Sequence, residues 1–260
     1  AGDHTTHFYA LGGPDFVVGP DAPKAERNIL GVIGKVGLEV GGKVIEMRKR
    51  TQEVIKTLGG KNTHQVTSLP GGVSRGINEE ERKQIEEHCK WFVDFGKFTI
   101  QVFNDIVLKN KAYVDLIVSE MFSMKIYSMG LVDEKNRVNF YDGKVRVTDP
   151  DGKEFVKYSP NEYLDVIAEH VEPWTYLKFP FLKKVGWKGF VEGKESGLYR
   201  ATPLSRLNAA DGMPTPAAQE EYDRMYKTLG GKPVHATLAT HWARIIELLS
   251  ASEMALDLVR

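Results

Sequence analysis

From Asn78 to Ile106 the chain sets Ile85, Cys89, Phe92, Gly96, Thr99, Phe103 and Ile106 at alternating steps of four and three. A strand repeats every two residues and a loop has no period, so this stripe requires a helix of roughly six turns with one face buried throughout. Asn78 is a good N-cap, and Glu81 is placed three residues on to close a capping box. A helix this long needs neighbours of its own kind. From about Pro23 to Leu58, Ile33, Val36, Val40, Val44, Met47, Val54, Ile55 and Leu58 recur at the same steps and predict a second long helix. A third is expected from Lys111 to Ser128, ending at Gly130.

The pattern changes after Asp133. Val138 to Thr148 reads as two short β runs around Asp142-Gly143, and Asp149-Pro-Asp-Gly152 supplies a turn before Glu154 to Tyr158. Ser159-Pro160-Asn161-Glu162 has an N-cap, a first-turn proline and a capping glutamate, predicting a helix to about Val171. Pro173 to Gly197 reads as irregular or short strand, Thr215-Pro216 starts a helix to about Leu229, and Pro233 to Arg260 reads as helix. The expected fold is mainly α (α+β): a long-helix bundle forming a single domain over 1–260, with a small β-meander insertion at about 137–158.

Composition removes several functions. A single cysteine excludes an internal disulfide, a thiolate zinc site and an iron–sulfur site. Lys and Arg total 35 against 35 Asp and Glu, so the surplus of cations that grips nucleic acid is missing. The longest run without a charged residue, Asn62 to Ser74, is polar, Gly-rich and short of the roughly 20 apolar residues of a membrane span. At 260 residues the chain buries enough surface to need no staple.

Few residues suggest chemistry. Gly31, Gly34, Gly37, Gly41 and Gly42 lie inside a helical pattern, where a dinucleotide-binding fingerprint would need a preceding strand. Close approach of a neighbouring helix at Gly34, Gly37 and Gly41 is the expected reason for them. His4 and His7 could share a helix face, yet no third ligand lies nearby, and His88, His170, His235 and His241 do not converge. These histidines are expected to be solvent-facing or hydrogen-bonded. The segment Gly59 to Gly76 differs: it joins two long helices with five glycines and almost no charge, and it is long for a helix connection. Low charge suggests that it is covered, either within the fold or by a partner or cofactor.

At this segment the sequence resembles the catalytic large subunit of [NiFe] hydrogenases, and the resemblance spans essentially the whole chain. It rests on His7-Phe-Tyr-Ala-Leu-Gly-Gly-Pro-Asp-Phe16, on Gly59-Gly-Lys-Asn-Thr-His64 running into Leu69-Pro-Gly-Gly-Val-Ser74, on Lys178-Phe-Pro-Phe181, and on Ser196 through Asn208. Pro70 to Gly76, and Arg206-Leu-Asn208 followed by Asp211 to Pro216, look most like the cytoplasmic methyl-viologen-reducing branch. The resemblance implies an α-rich fold around a Ni–Fe centre, a small subunit carrying iron–sulfur clusters, reversible H2 oxidation and a cytoplasmic location.

One departure is decisive. In that family nickel is held by two Cys-x-x-Cys pairs, and this chain has neither. Cys89, on an apolar helix face, cannot be one of them. The resemblance therefore implies a central fragment, starting after one metal motif and stopping before the other, with no catalytic or metal-ligating residue of its own and no activity alone. The ends agree with that expectation: Ala1 begins without Met or a signal-peptide pattern, and the last residues read as helix without a stop. Residue by residue, His64 matches a family histidine lying toward the small-subunit cluster nearest the active site, where a neutral imidazole can donate a hydrogen bond toward cluster or ligating sulfur. Gly71 and Gly72 would then allow close backbone approach at the subunit interface. Two alternatives carry other functions: a homologue of the complex I quinone-site subunit, which shares the fold without metal cysteines, and a non-catalytic scaffold paralogue.

Overall fold

A computed structural model describes all 260 residues. In chain order it has α1 (Gly2–Thr6), α2 (Ile29–Val36), α3 (Leu38–Gly59), β1 (Ser68–Leu69), β2 (Gly72–Val73), α4 (Glu79–Phe103), α5 (Lys111–Val118), β3 (Tyr127–Val132), β4 (Lys144–Thr148), β5 (Glu154–Tyr158), α6 (Tyr163–Val166), β6 (Ile167–Val171), β7 (Lys178–Leu182), β8 (Tyr199–Arg200), α7 (Pro203–Ala209), α8 (Pro216–Thr228) and α9 (Thr240–Val259). These fall into two compact units, residues 1–114 with 244–260, and residues 115–243.

The first unit is helical. Asn78 accepts from the Glu81 amide and Glu81 from the Asn78 amide, so α4 begins with the expected capping box. Its stripe is buried from Ile85 to Phe103. Beyond Phe103 the backbone takes a π turn over Asn104–Leu108, which delays the face, and Val107 is buried where Ile106 was expected. The aromatic rings of Phe8, Tyr9, Phe95 and Phe103 pack against this face, and the Tyr9 hydroxyl lies 3.1 Å from Thr99 Oγ1. Against Gly96 sits Leu249 of α9, whose Cα would be 3.2 Å from a Cβ at that position.

The helix expected from Pro23 to Leu58 is two helices. Asn28 caps the first, accepting from the amides of Leu30 and Gly31 at 2.9 and 3.2 Å. Gly37, at φ +88°, breaks the run before α3. The close helix approach expected at Gly34 and Gly37 does not occur, since nothing lies within 4 Å of a Cβ built on either. At Gly41 the neighbour is Ile33 of the preceding helix, 3.0 Å from such a Cβ. The bend between the two helices leaves an apolar cavity of about 220 Å³, lined by Tyr9, Val32, Ile33, Val36, Val40 and Val44 among others.

The second unit is built on a four-stranded sheet of order β5-β4-β3-β8, with β3 parallel to β8 and the other pairs antiparallel. The expected β insertion is larger than its predicted bounds. The third helix stops at Val118, and Tyr127 to Val132 is one of the sheet's two inner strands. Val138 to Tyr141 does not form a strand; β4 pairs with β3, and Val138 makes only a single bridge to Val132. The β4–β5 hairpin around Asp149–Gly152 is as expected. Gly130 is needed because α7 crosses β3 there: a Cβ would stand 2.9 Å from Arg206 Cα. Tyr127, Met129, Val147, Tyr158 and Leu182 form the core beside the sheet.

Ser159 and Glu162 form their capping box, but over a short 3-10 turn, and the helix ends at Val166 rather than Val171. Ile167 to Val171 instead pairs with β7 as a separate hairpin. Asn208 ties α7 to its surroundings: its side chain donates to Val234 O at 2.7 Å and accepts from Val234 N and the Tyr226 hydroxyl at 3.1 and 2.8 Å. Trp242 Nε1 donates to Glu221 at 2.7 Å, and both side chains are buried. The last helix starts at Thr240, later than expected, after a 3-10 turn. No helix is long and apolar enough to cross a membrane.

Candidate functional site

The segment singled out in the sequence closes the α3–α4 pair at one end. Gly60, at φ +78°, terminates α3, its amide donating to Lys56 O at 2.8 Å. The chain then folds back on itself. Val66 N donates to Gly59 O at 2.9 Å, and Thr67 Oγ1 donates to Leu58 O at 2.9 Å, so Thr67 is buried at the base of the loop. Gln65 crosses Gly59 so closely that a Cβ there would be 2.2 Å from Gln65 Cγ.

The two-residue strands β1 and β2 pair with Leu69 opposite Gly72, leaving Pro70-Gly71 as the turn. Pro at the second corner and Gly71 at φ +85° in the third are the chemistry of a type II turn. Gly71 therefore has a conformational reason to be glycine. Nothing lies within 4 Å of a Cβ on Gly71 or on Gly72. His64 is exposed and holds φ +53°, a left-handed backbone for a side-chain-bearing residue. His64, Gly71 and Gly72 thus lie on one exposed loop.

The expectation that low charge means cover is not met within the chain. Val66, Leu69 and Val73 are each more than half exposed. Between Gly59 and Gly76 there is no carboxylate, and Lys61 and Arg75 are the only formal charges. Arg75, which no motif in the sequence marks, fixes the loop's return: Nη1 donates to Thr57 O at 2.8 Å and Nη2 pairs with Glu81. The Asn78 amide and then Arg75 hold the Glu81 carboxyl below its usual range. An open polar cleft of about 560 Å³ lies at the loop's base, lined by Glu53, Lys56, Arg75, Glu81 and His88 among others.

Other chemistry-bearing side chains have structural partners. Cys89 is 1% exposed on the α4 stripe, and burial pushes its thiol pKa up, the reverse of an activated thiolate. His4 Nε2 lies 2.8 Å from the buried Glu247, and Arg244 Nη1 is 3.1 Å from His4 Nδ1. His88 sits between Arg50 and Glu53; burial and then the guanidinium push its pKa down. His170 lies 2.9 Å from Glu172, and His235 lies 2.8 Å from Pro150 O. No group of three or more His, Cys, Asp and Glu is arranged to hold a metal ion. A nickel site built on two cysteine pairs does not fit a donor set of one buried thiol.

No protein-family model matches the chain. It is 45% identical over 258 residues to an F420-non-reducing hydrogenase iron-sulfur subunit of Archaeoglobus profundus, covering 99% of this chain and 53% of that protein. It is 40% identical over 252 residues to an F420-non-reducing hydrogenase vhu subunit of Methanocaldococcus jannaschii, covering 97% of this chain and 57% of the relative. A crystal structure of an NAD+-reducing [NiFe]-hydrogenase in the H2-reduced state superposes with a TM-score of 0.88 at 28% identity, over 99% of this chain and 55% of that one. The chain spans about half the length of the curated relatives it matches. With relatives of this kind, neither the complex I reading nor the scaffold reading is favoured. The chain is homologous over nearly its whole length to hydrogenase subunits and has the mainly α fold of the [NiFe] hydrogenase large subunit.

Proposed function

We propose that this chain is the central part of the catalytic large subunit of a [NiFe] hydrogenase of the methyl-viologen-reducing branch, whose intact enzyme oxidises H2 reversibly in the cytoplasm. The observation that carries the reading is 45% identity sustained across 99% of the chain to a hydrogenase subunit of which it spans 53%. The Ni–Fe centre would be held by cysteine pairs outside these residues. Within them the role is scaffolding: the α3–α4 pair and its tied loop present an interface.

The loop from Gly59 to Gly76 is the face offered to a small subunit bearing iron–sulfur clusters. Support comes from its exposed Val66, Leu69 and Val73, its lack of carboxylates, and its fixed backbone. His64 would direct an imidazole toward the cluster or its sulfur ligands, where a donated hydrogen bond raises the potential. Gly71 and Gly72, with open space where a Cβ would stand, would let the partner's backbone come close.

Sequencing the gene past both ends tests the first part. Flanking Cys-x-x-Cys pairs are expected, and natural start and stop codons at Ala1 and Arg260 would defeat it. His64→Ala in the intact enzyme tests the second: nickel content should hold while electron transfer to the acceptor changes. Unaltered transfer would dispose of the His64 assignment.

A further inference from the structure

The β6–β7 hairpin stands as a two-stranded sheet by itself. Lys183 N donates to Val166 O at 2.9 Å, which fixes the alternation of the ladder. Ala168 and His170 then exchange hydrogen bonds with β7, while the amides and carbonyls of Glu169 and Val171 point away from it. The two edges of the hairpin differ. On the β7 edge, Leu182 N donates to Gly197 O at 2.8 Å, and Pro180 has no amide to offer. On the β6 edge, Ile167 N is taken by Tyr163 O, but the outward groups of Glu169 and Val171 have no partner. Both residues are exposed, and an open edge of this kind is a template for another strand.

We propose that β6 is the docking edge for a second copy of this chain, paired antiparallel about His170. The free groups are self-complementary in that register. Glu169 of each copy exchanges two hydrogen bonds with Val171 of the other, giving a four-stranded sheet of order β7-β6-β6-β7 with twofold symmetry. The ladder ends where it should: the next pair would be Ile167 with Pro173, one amide already used and the other missing. Pairing about Glu169 instead would set two carboxylates opposite each other, each with a single exposed cation, Lys178 of its own hairpin at 3.3 Å, to offset it, so charge favours the His170 register.

The flanks fit the same occupant. Running antiparallel, the hairpin tip of one copy passes the start of β6 in the other. The tip carries Trp174 at 67% exposure and fully exposed Tyr176, and the segment before β6 carries Tyr163 and Leu164 at 52% and 62%. Two exposed apolar patches, one at each end of a short ladder, therefore meet each other twice. The hairpin is stiffened for this by Trp187, which stacks on His170 at 4.5 Å and on Phe179 at 5.8 Å.

Sedimentation velocity of the intact subunit that contains these residues, over a hundredfold concentration range, tests the proposal. The mass should rise from one chain toward two. Val171→Pro removes an outward amide that its own hairpin does not use, so it should abolish association while circular dichroism stays unchanged; Val171→Thr should retain it. Amide hydrogen exchange supplies a readout that needs no variant: Glu169 and Val171 should gain protection with concentration, while Ala168 and His170, already bonded to β7, should not. A chain that remains single at every concentration, or Val171→Pro pairing as well as the natural sequence, would overturn the proposal.

Discussion

Two glycines, one on the short α2 and one on the long α4, should respond to alanine in opposite directions. Gly34 lies in α2 with nothing within 4 Å of a built Cβ. Replacing it with alanine removes the helix penalty of glycine, about 1 kcal/mol, and restricts the unfolded chain at the same time. Gly96 receives the same helix benefit, but its Cβ would stand 3.0 Å from Leu249 Cδ1 and 3.2 Å from Leu249 Cα. A methyl side chain can rotate away; a helix backbone cannot. Overpacking of this kind costs about 1–3 kcal/mol, so Gly96→Ala should lose up to about 2 kcal/mol net. For a chain of this size each kcal/mol moves the melting temperature by roughly 2–4 °C. Urea and thermal unfolding followed by far-UV circular dichroism should show Gly34→Ala more stable and Gly96→Ala less stable than the natural sequence. If Gly34→Ala destabilised the chain, the spacing argument for an unseen neighbour at that helix face would return, and the reasoning from open space would fail.

Asn208→Ala would leave Val234 N, Val234 O and the Tyr226 hydroxyl without their buried partner, at a cost of about 3 kcal/mol, read by urea unfolding. Lys232 is packed against Tyr222 and Tyr226, and burial pulls its ammonium down to about 8. Below that value both folded and unfolded chains hold the proton; between about pH 8 and 10 the unfolded chain keeps a proton that the folded one has released. Stability of the natural sequence relative to Lys232→Met should therefore rise with pH across that window, by at most about 1.4 kcal/mol per pH unit; a flat difference would contradict the burial argument. The 260-residue chain by itself should contain no stoichiometric nickel or iron and show no H2-dependent dye reduction. One nickel per chain by metal analysis would overturn the placement of the metal ligands outside it.

Local physics controls what the sequence makes legible. The α4 stripe and its Asn78–Glu81 box fix a helix start and its buried face within a few residues, and both stand in the structure. The strand from Tyr127 to Val132, where a helix end is expected, hides for an equally physical reason. Five of its six residues are buried, and Ser128 is the single polar residue among its alternate positions, too little to announce a period of two. The Ser159 capping box begins a helix as expected but cannot say how far it will run, because Ile167 to Val171 is held by β7, and pairing with another strand leaves no mark on the helix start. Gly37 shows the same limit: a helical period on both sides of a glycine cannot reveal that its φ is +88°.

The candidate loop divides along the same line. Pro70-Gly71 announces its own turn, because the residues that favour it act on their own backbone. The lack of charge from Asn62 to Ser74 does not announce whether the segment is buried. Low charge removes the solvation of a surface, yet it does not supply a covering element, and here α3 and α4 anchor the loop at its base while leaving its apolar side chains in the open. An uncharged, glycine-rich loop that the fold holds in place but does not cover has retained its unfavourable apolar exposure. That exposure is what a second surface would relieve on binding, so the feature that failed to predict burial within the chain is the better evidence for an interface outside it.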